Sequence, residues 1–216
     1  NQDVHAFNDQ SNMMFTNIDI EIGANNPGAI ALNVYSADGS VVQDVTNNAG
    51  TAFAGVAGTV GNGGGWTNIT VNGGQYGIYT TENTVPSHMY ENITLNGQTT
   101  RPILTRGRGT INMVGLKITT DLSTPVILQW PVDTAVFDTT INLIDSQIIY
   151  NSSANCAAIA GTTNGTTATD IQRGVYLNNV YVKNAAYVVQ NELTGNTGGW
   201  AKVAEYAIGK DRTVNG

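Results

Sequence analysis

The sequence predicts an all-β chain folded as a right-handed, single-stranded parallel β-helix of about seven coils, a solenoid in which each turn stacks on the last. Three observations predict it. One phrase returns along the chain: MFTNIDIEI (14–22), VVQDVTN (41–47), GWTNITVNGG (65–74), MYENITLNG (89–97), NMVGLKITT (112–120) and YLNNVYVKN (176–184). A second, more continuous apolar run sits between its copies. Gly, Asn and Asp gather at the breaks, and no segment carries the 3.6-residue apolar period of a helix.

Within the phrase a small or polar residue, usually Asn, precedes two apolar residues that flank an outward one. The inward pairs are Ile18 and Ile20, Ile69 and Val71, Ile93 and Leu95, Leu116 and Ile118, and Val180 and Val182, a period-2 strand pattern. From Ile18 through Val45, Ile69 and Ile93 to Leu116 the repeat is about 23 to 27 residues, inside the solenoid window. Asn17, Asp44, Asn68, Asn92 and Asn179 hold the same place in the phrase. A stacked Asn tolerates the left-handed backbone of a corner and can bond the backbone of the next coil, so this column is expected to be structural.

The second run reads AIALNV (29–34), AFAGVAG (52–58), YGIYT (76–80), PILT (102–105), PVILQW (125–130), AAIAG (157–161) and AYVVQ (185–189). Two or three short strands per turn in a Leu-poor chain favour a β-helix over a leucine-rich horseshoe. After Ile118 the repeat lengthens to about 32 residues, so 122–140 and 151–174 are expected to carry extended loops that build a binding wall. The tail after Trp200 shows no covering element. The whole of 1–216 is expected to form one β-helix domain, a portion of a longer polypeptide.

Only 12% of residues are charged and the formal net charge is -7, which points to a surface of uncharged hydrogen-bonding groups suited to sugar hydroxyls. Nucleic acid is disfavoured, because Lys and Arg are few and only Arg101, Arg106 and Arg108 cluster. No run of about 18 apolar residues predicts membrane insertion. The single cysteine, Cys156, is expected to be buried and inert, and no metal or cofactor motif is present. Sequons at Asn68, Asn92, Asn151 and Asn164 are weak pointers to an extracellular protein.

The stretch from Ser11 to Thr46, followed by GNGGGWTNITVNGGQYGIYT (61–80), resembles the pectate-lyase-like β-helix of glycoside hydrolase family 55 and its relatives. The likeness rests on an Asn-Pro-Gly turn, a buried strand, a Gly-rich corner and the phrase Gly73-Gly74-Gln75-Tyr76-Gly77. GGWAKVAEYAIG (198–209) is similar to that family's Trp-x-x-Val-x-x-Tyr segment. The resemblance implies an exo-acting, inverting β-1,3-glucanase made of two β-helices with substrate between them, a proton-donating acid on one side and positioned water on the other. No segment here matches the family's general acid, which belongs to the second β-helix. Val34 to Asp38 and Gly61 to Gly64 depart from the family's water-positioning pattern, so Ser36 or Asp38 would have to substitute at the first, and Asn62 stands at the second.

Glu82, His88 and Glu91 lie near one strand entry and could line a cleft, with Glu82 or Glu91 as an acid; a solvated corner is the simpler reading. Trp66, Trp130 and Trp200 have flat apolar rings suited to a pyranose, and Trp130 is the favoured stacking residue. Arg106 and His88 join Trp130 and Asn62 as expected substrate contacts, with surface ion pairing the ordinary role for Arg101, Arg106 and Arg108. Asp133, Asp138, Asp145 and Asp170 flank the predicted loops as further acid candidates. The outward column Asp19, Thr46, Thr70, Thr94, Lys117 and Tyr181 has too few carboxylates for the calcium site of a pectate lyase. Function is expected to be that of a secreted carbohydrate-active β-helix acting on β-glucan, within a glycoside hydrolase that brings a second β-helix domain or subunit. The alternative is a noncatalytic extracellular β-helix for adhesion, a surface fibre or glycan binding.

Overall fold

A computed structural model of the 216-residue chain describes residues 11–36, 38–59, 61, 63–80, 88–106, 110–130, 140–171 and 173–209. Among these residues there is no helix, and the strands join in one sheet. In chain order they are β1 (Met14–Glu21), β2 (Ile30–Tyr35), β3 (Val41–Gly50), β4 (Ala54–Thr59), β5 (Gly65–Gly73), β6 (Tyr76–Thr80) and β7 (His88–Asn96). There follow β8 (Arg101–Arg106), β9 (Thr110–Val114), β10 (Lys117–Thr120), β11 (Ile127–Trp130), β12 (Thr140–Gly161), β13 (Val175–Val189) and β14 (Leu193–Ile208). All pairings are parallel except β13 with β14.

The recurring phrase forms one ladder: Ile18, Val45, Ile69 and Ile93 stand in register, as do Val71, Leu95, Ile118, Ile148 and Val182. The second run forms another, in which Leu32, Val56, Ile78, Ile103, Ile127 and Ile159 align. Both ladders turn apolar side chains into one buried core. The phrase also buries a file that its two-residue period conceals. Val42, Trp66, Tyr90, Met113, Leu143 and Leu177 align two residues ahead of the Asn column and point inward.

Val42 and Val45, three residues apart, could not face the same side of a flat strand. The residue between them bends the chain: Asn17, Asp44, Asn68, Asn92, Asp145 and Asn179 have φ between 49° and 57°, and Gly115 takes 72°. This left-handed step resets the alternation, and Asn, Asp and Gly are the residues that tolerate it. The expected backbone bond from this column is corrected to side chain on side chain. Asn68 Nδ2 donates to Asp44 Oδ1 at 2.8 Å, Asn92 Nδ2 to Asn68 Oδ1 at 3.1 Å, and Asn179 Nδ2 to Asp145 Oδ1 at 2.6 Å.

Three further expectations are corrected. Residues 151–161 are not loop but the second half of β12, which bends through register shifts and pairs with β13 and β11. The tail is not bare, because β14 lies antiparallel along β13, with Val203 opposite Val180 and Tyr206 opposite Leu177. Ile18 is 44% exposed and Met14 75% exposed, since among the described residues β1 pairs only with β3. The inward pattern of β1 is therefore only half covered.

Candidate functional site

The sequence-predicted residues fall on several elements. Ser36 and Asp38 follow β2, Arg106 ends β8, Trp130 ends β11 and His88 opens β7 opposite Ile111. Asn62 and Glu82 lie outside the described residues, as do Arg108, Asp133 and Asp138. Arg106 and Trp130 are register partners, and the guanidinium sits 4.3 Å over the indole. Ser36 belongs to the strand three places away along β2, β4, β6 and β8, roughly 14 Å at ordinary strand spacing. Ser36 and Arg106 therefore do not meet over one bond.

Trp130 is packed rather than open. Arg106 covers its ring, a Cβ built on Gly165 would lie 2.6 Å from the indole, and the residue joins an outer cluster of Leu104, Leu128 and Ala160. That cluster is buried although it lies on the opposite side of the strands from Ile103, Ile127 and Ile159. Trp66 belongs to the core, fully buried and edge-on to Tyr90 at 5.0 Å. The exposed indole is Trp200 on β14, 46% exposed and edge-on to Tyr181 at 6.3 Å.

Arg101 is corrected from a surface residue to a buried one. Its guanidinium donates to the Pro125 carbonyl, and burial lowers its pKa. Nearby, the Tyr150 hydroxyl donates to the Thr124 carbonyl at 3.1 Å, and the half-buried Cys156 thiol donates to Tyr150 at 3.7 Å. Burial pushes both the Tyr150 phenol and the Cys156 thiol upward, away from an ionised nucleophile.

Ser36 is 3% exposed and its Oγ has no hydrogen-bond partner among the described residues. It lines a cavity of about 260 Å³ between β1, β2 and β3, walled largely by Phe15, Leu32, Val34 and Val42. Such walls offer Ser36 no general base. Asp145 accepts from Asn179, and Asp170 accepts from Asn191 at 2.6 Å. Asp44 is held below the usual carboxylate range by the Asn68 amide and then by Gln43, the opposite direction from a general acid working near neutrality. No group of three or more His, Cys, Asp and Glu among the described residues could hold a metal.

What the ladders do build is a flat polar floor. Thr46, Thr70 and Thr94 align in one outward file, and Asn48, Asn72 and Asn96 in the next. Asn72 Nδ2 donates to Asn48 Oδ1 at 2.9 Å and Asn96 Nδ2 to Asn72 Oδ1 at 3.1 Å. A bonded amide of this kind keeps one N–H and one lone pair for an incoming hydroxyl. The sequon amides are similarly engaged: Asn68 and Asn92 in the corner ladder, Asn151 with Asp121, and Asn164 with Thr167.

No protein-family model matches this chain, and no curated protein matches it. The residues that carried the family resemblance have structural work of their own. Gly73 sits at φ 74° where a Cβ would be 2.8 Å from the Gly50 carbonyl, Gly77 would meet the Pro102 carbonyl at 2.6 Å, and Gln75 donates to the Pro27 carbonyl at 3.0 Å. The spacing from Val203 to Tyr206 repeats the inward step from Val180 back to Leu177. Close stacking of strands gives each of these residues a structural role.

Proposed function

We propose that the chain is an extracellular, glycan-binding right-handed single-stranded parallel β-helix of about seven coils, with the Thr and Asn files as its binding floor. The observation that carries this reading is the pair of uncharged files on β3, β5 and β7, repeating at roughly 4.8 Å across strands. Hydroxyls and half-satisfied amides at that pitch offer repeated donors and acceptors to an extended polysaccharide, at little desolvation cost compared with charged groups. The expected ligand is a β-glucan. Calorimetric titration with laminari-oligosaccharides tests it: saturable binding that weakens when Thr70 and Asn72 are both changed to Ala supports the floor, and no binding to laminarin or to any member of a glycan array sinks it.

A second reading, a share in β-1,3-glucan hydrolysis, is favoured by the resemblance over 61–80. On that reading the general acid lies outside this chain, on a second β-helix domain or subunit. The protein bearing both would release glucose from laminarin, while this chain alone would bind without turnover.

A further inference from the structure

Past β7 the floor changes chemistry. The Thr file continues as Lys117, Gln147, Tyr181 and Lys202, and the Asn file as Thr119, Ile149, Lys183 and Trp200. Three of the four lysines of the chain thus stand on one outward surface. On β13 and β14 they make a checkerboard: Tyr181 opposite Lys202, Lys183 opposite Trp200. Lys202 Nζ lies 5.5 Å from the Tyr181 ring centre and Lys183 Nζ 5.8 Å from that of Trp200, within cation–π range. Neighbouring strands stand roughly 4.8 Å apart and alternate residues roughly 6.8 Å apart, so the four side chains frame an area close to one sugar ring.

We infer that Tyr181, Lys183, Trp200 and Lys202 form a subsite for an anionic sugar, a uronate or sulfated pyranose, at one end of the floor. This rests on the glycan reading above and names the class of glycan. An exposed indole supplies a flat apolar surface for the C–H side of a pyranose, and the ammonium groups, Lys183 over the Trp200 ring and Lys202 over Tyr181, supply charged partners for an acid group. Carboxylates on other files of these strands are engaged there: Glu205 accepts from Tyr176, Asp145 from Asn179 and Asp121 from Asn151. Local charge therefore complements an acid despite the net charge of -7. A nucleic-acid strand is the poorer fit, because so few cations cannot track successive phosphates. Lysine on an edge strand also deters edge pairing, but that role predicts no ligand selectivity.

The test titrates the 216-residue chain with alginate oligosaccharide, dextran sulfate, laminari-oligosaccharide and oligothymidylate, at low salt and again at about 0.5 M. At low salt at least one acidic glycan should bind about tenfold or more tighter than the neutral one, with the advantage shrinking in salt. Which acid binds better distinguishes carboxylate from sulfate. The double variant Lys183→Gln, Lys202→Gln should erase the advantage, bringing the acidic glycans down to the affinity of the neutral one. Trp200→Ala should weaken every glycan, with Trp200→Phe restoring part of the loss and circular dichroism verifying the fold. The inference is overturned if laminarin binds and the acids show no advantage, if the double variant keeps it, or if oligothymidylate binds as tightly as the acids. If no glycan binds at all, it is the floor reading that fails.

Discussion

The two halves of this molecule use one ladder in different ways. From β3 to β7 the corner and floor bonds join residues 24 apart in sequence, whereas from β9 to β13 the side-chain bonds between paired strands, on the corner file and on the file of Asn112 and Asn142, join residues 34 and 30 apart. The spatial register is nonetheless continuous, since Leu95, Ile118, Ile148 and Val182 stack as evenly as Val71 and Leu95. Part of the extra length is taken up by the register shifts of β12 between Ile149 and Ala157 and the rest falls between paired strands, so the inward files stay in register. Charge divides the same way. The first hundred residues hold no Lys or Arg, and the later half supplies all nine. A ladder that fixes its own pitch lets sequence change at the loops and on the outward files at small cost to the core.

The largest test of that comparison is on the shared inward file. Trp66→Ala in the regular half should cost about 3–5 kcal/mol, and Leu143→Ala in the irregular half about 2–5 kcal/mol, both read by urea unfolding. A loss below about 1 kcal/mol at Leu143 would show that the later strands unfold separately and that the continuity of the core is only geometric. Next in size is the floor ladder. Asn72, on the floor file, bonds both neighbours, whereas Asn142, on the separate file that runs through Met89 and Asn112, bonds Asn112, so Asn72→Ala should cost about 1–2 kcal/mol and Asn142→Ala about half that. Equal losses would mean that the amides stabilise through their own strand rather than through the stack.

Gly115 marks the boundary between the halves, occupying the left-handed position where the corner ladder lapses between Asn92 and Asp145. A Cβ there would lie 2.7 Å from Asn92 Oδ1, the tip of a side chain that can turn aside. Gly115→Asn sets the strain of a side chain at φ 72° against a new bond joining the two ladder segments, and a net gain of about 0.5 kcal/mol is expected. A loss instead would show that the break is needed for the pitch.

The smallest effect is a pH dependence confined to the regular half. Folding holds the Asp44 pKa below its unfolded value of about 3.9, so the associated stability is complete above that pH and fades as pH falls through the folded value. Asn68→Ala should raise the Asp44 pKa toward the ordinary range, seen by NMR titration. The variant and the parent should then unfold at closer midpoints near about pH 3 than at neutrality. An unmoved Asp44 pKa would assign the shift to Gln43, whose amide donates at 2.8 Å.

Much of the architecture was legible because it follows from local rules repeated along the chain. Alternation identified the inward pairs, and Asn in a fixed place marked the corner. Less legible was the file two residues ahead of that corner, occupied by Val42, Trp66, Tyr90, Met113, Leu143 and Leu177. Its offset makes sense only once the left-handed step is known, although a Trp and a Tyr at the same offset were a usable signal. The site was less legible still. Trp130, Arg106 and Trp66 were chosen by residue type, and their packing depends on Gly165, on each other and on Tyr90. Trp200 and Lys183 are distant from the Thr and Asn phrases in sequence and become part of their surface only through register.

What the sequence alone determined is the repeating unit: which residues strand, which bend, and which face is apolar, because each depends on neighbours within a few positions. The tertiary structure decided what stacks on what. Only stacking buries Arg101, lays the tail antiparallel as β14 along β13, and brings three scattered lysines onto one surface, because these depend on contacts whose partners lie tens of residues away and whose register no local pattern encodes.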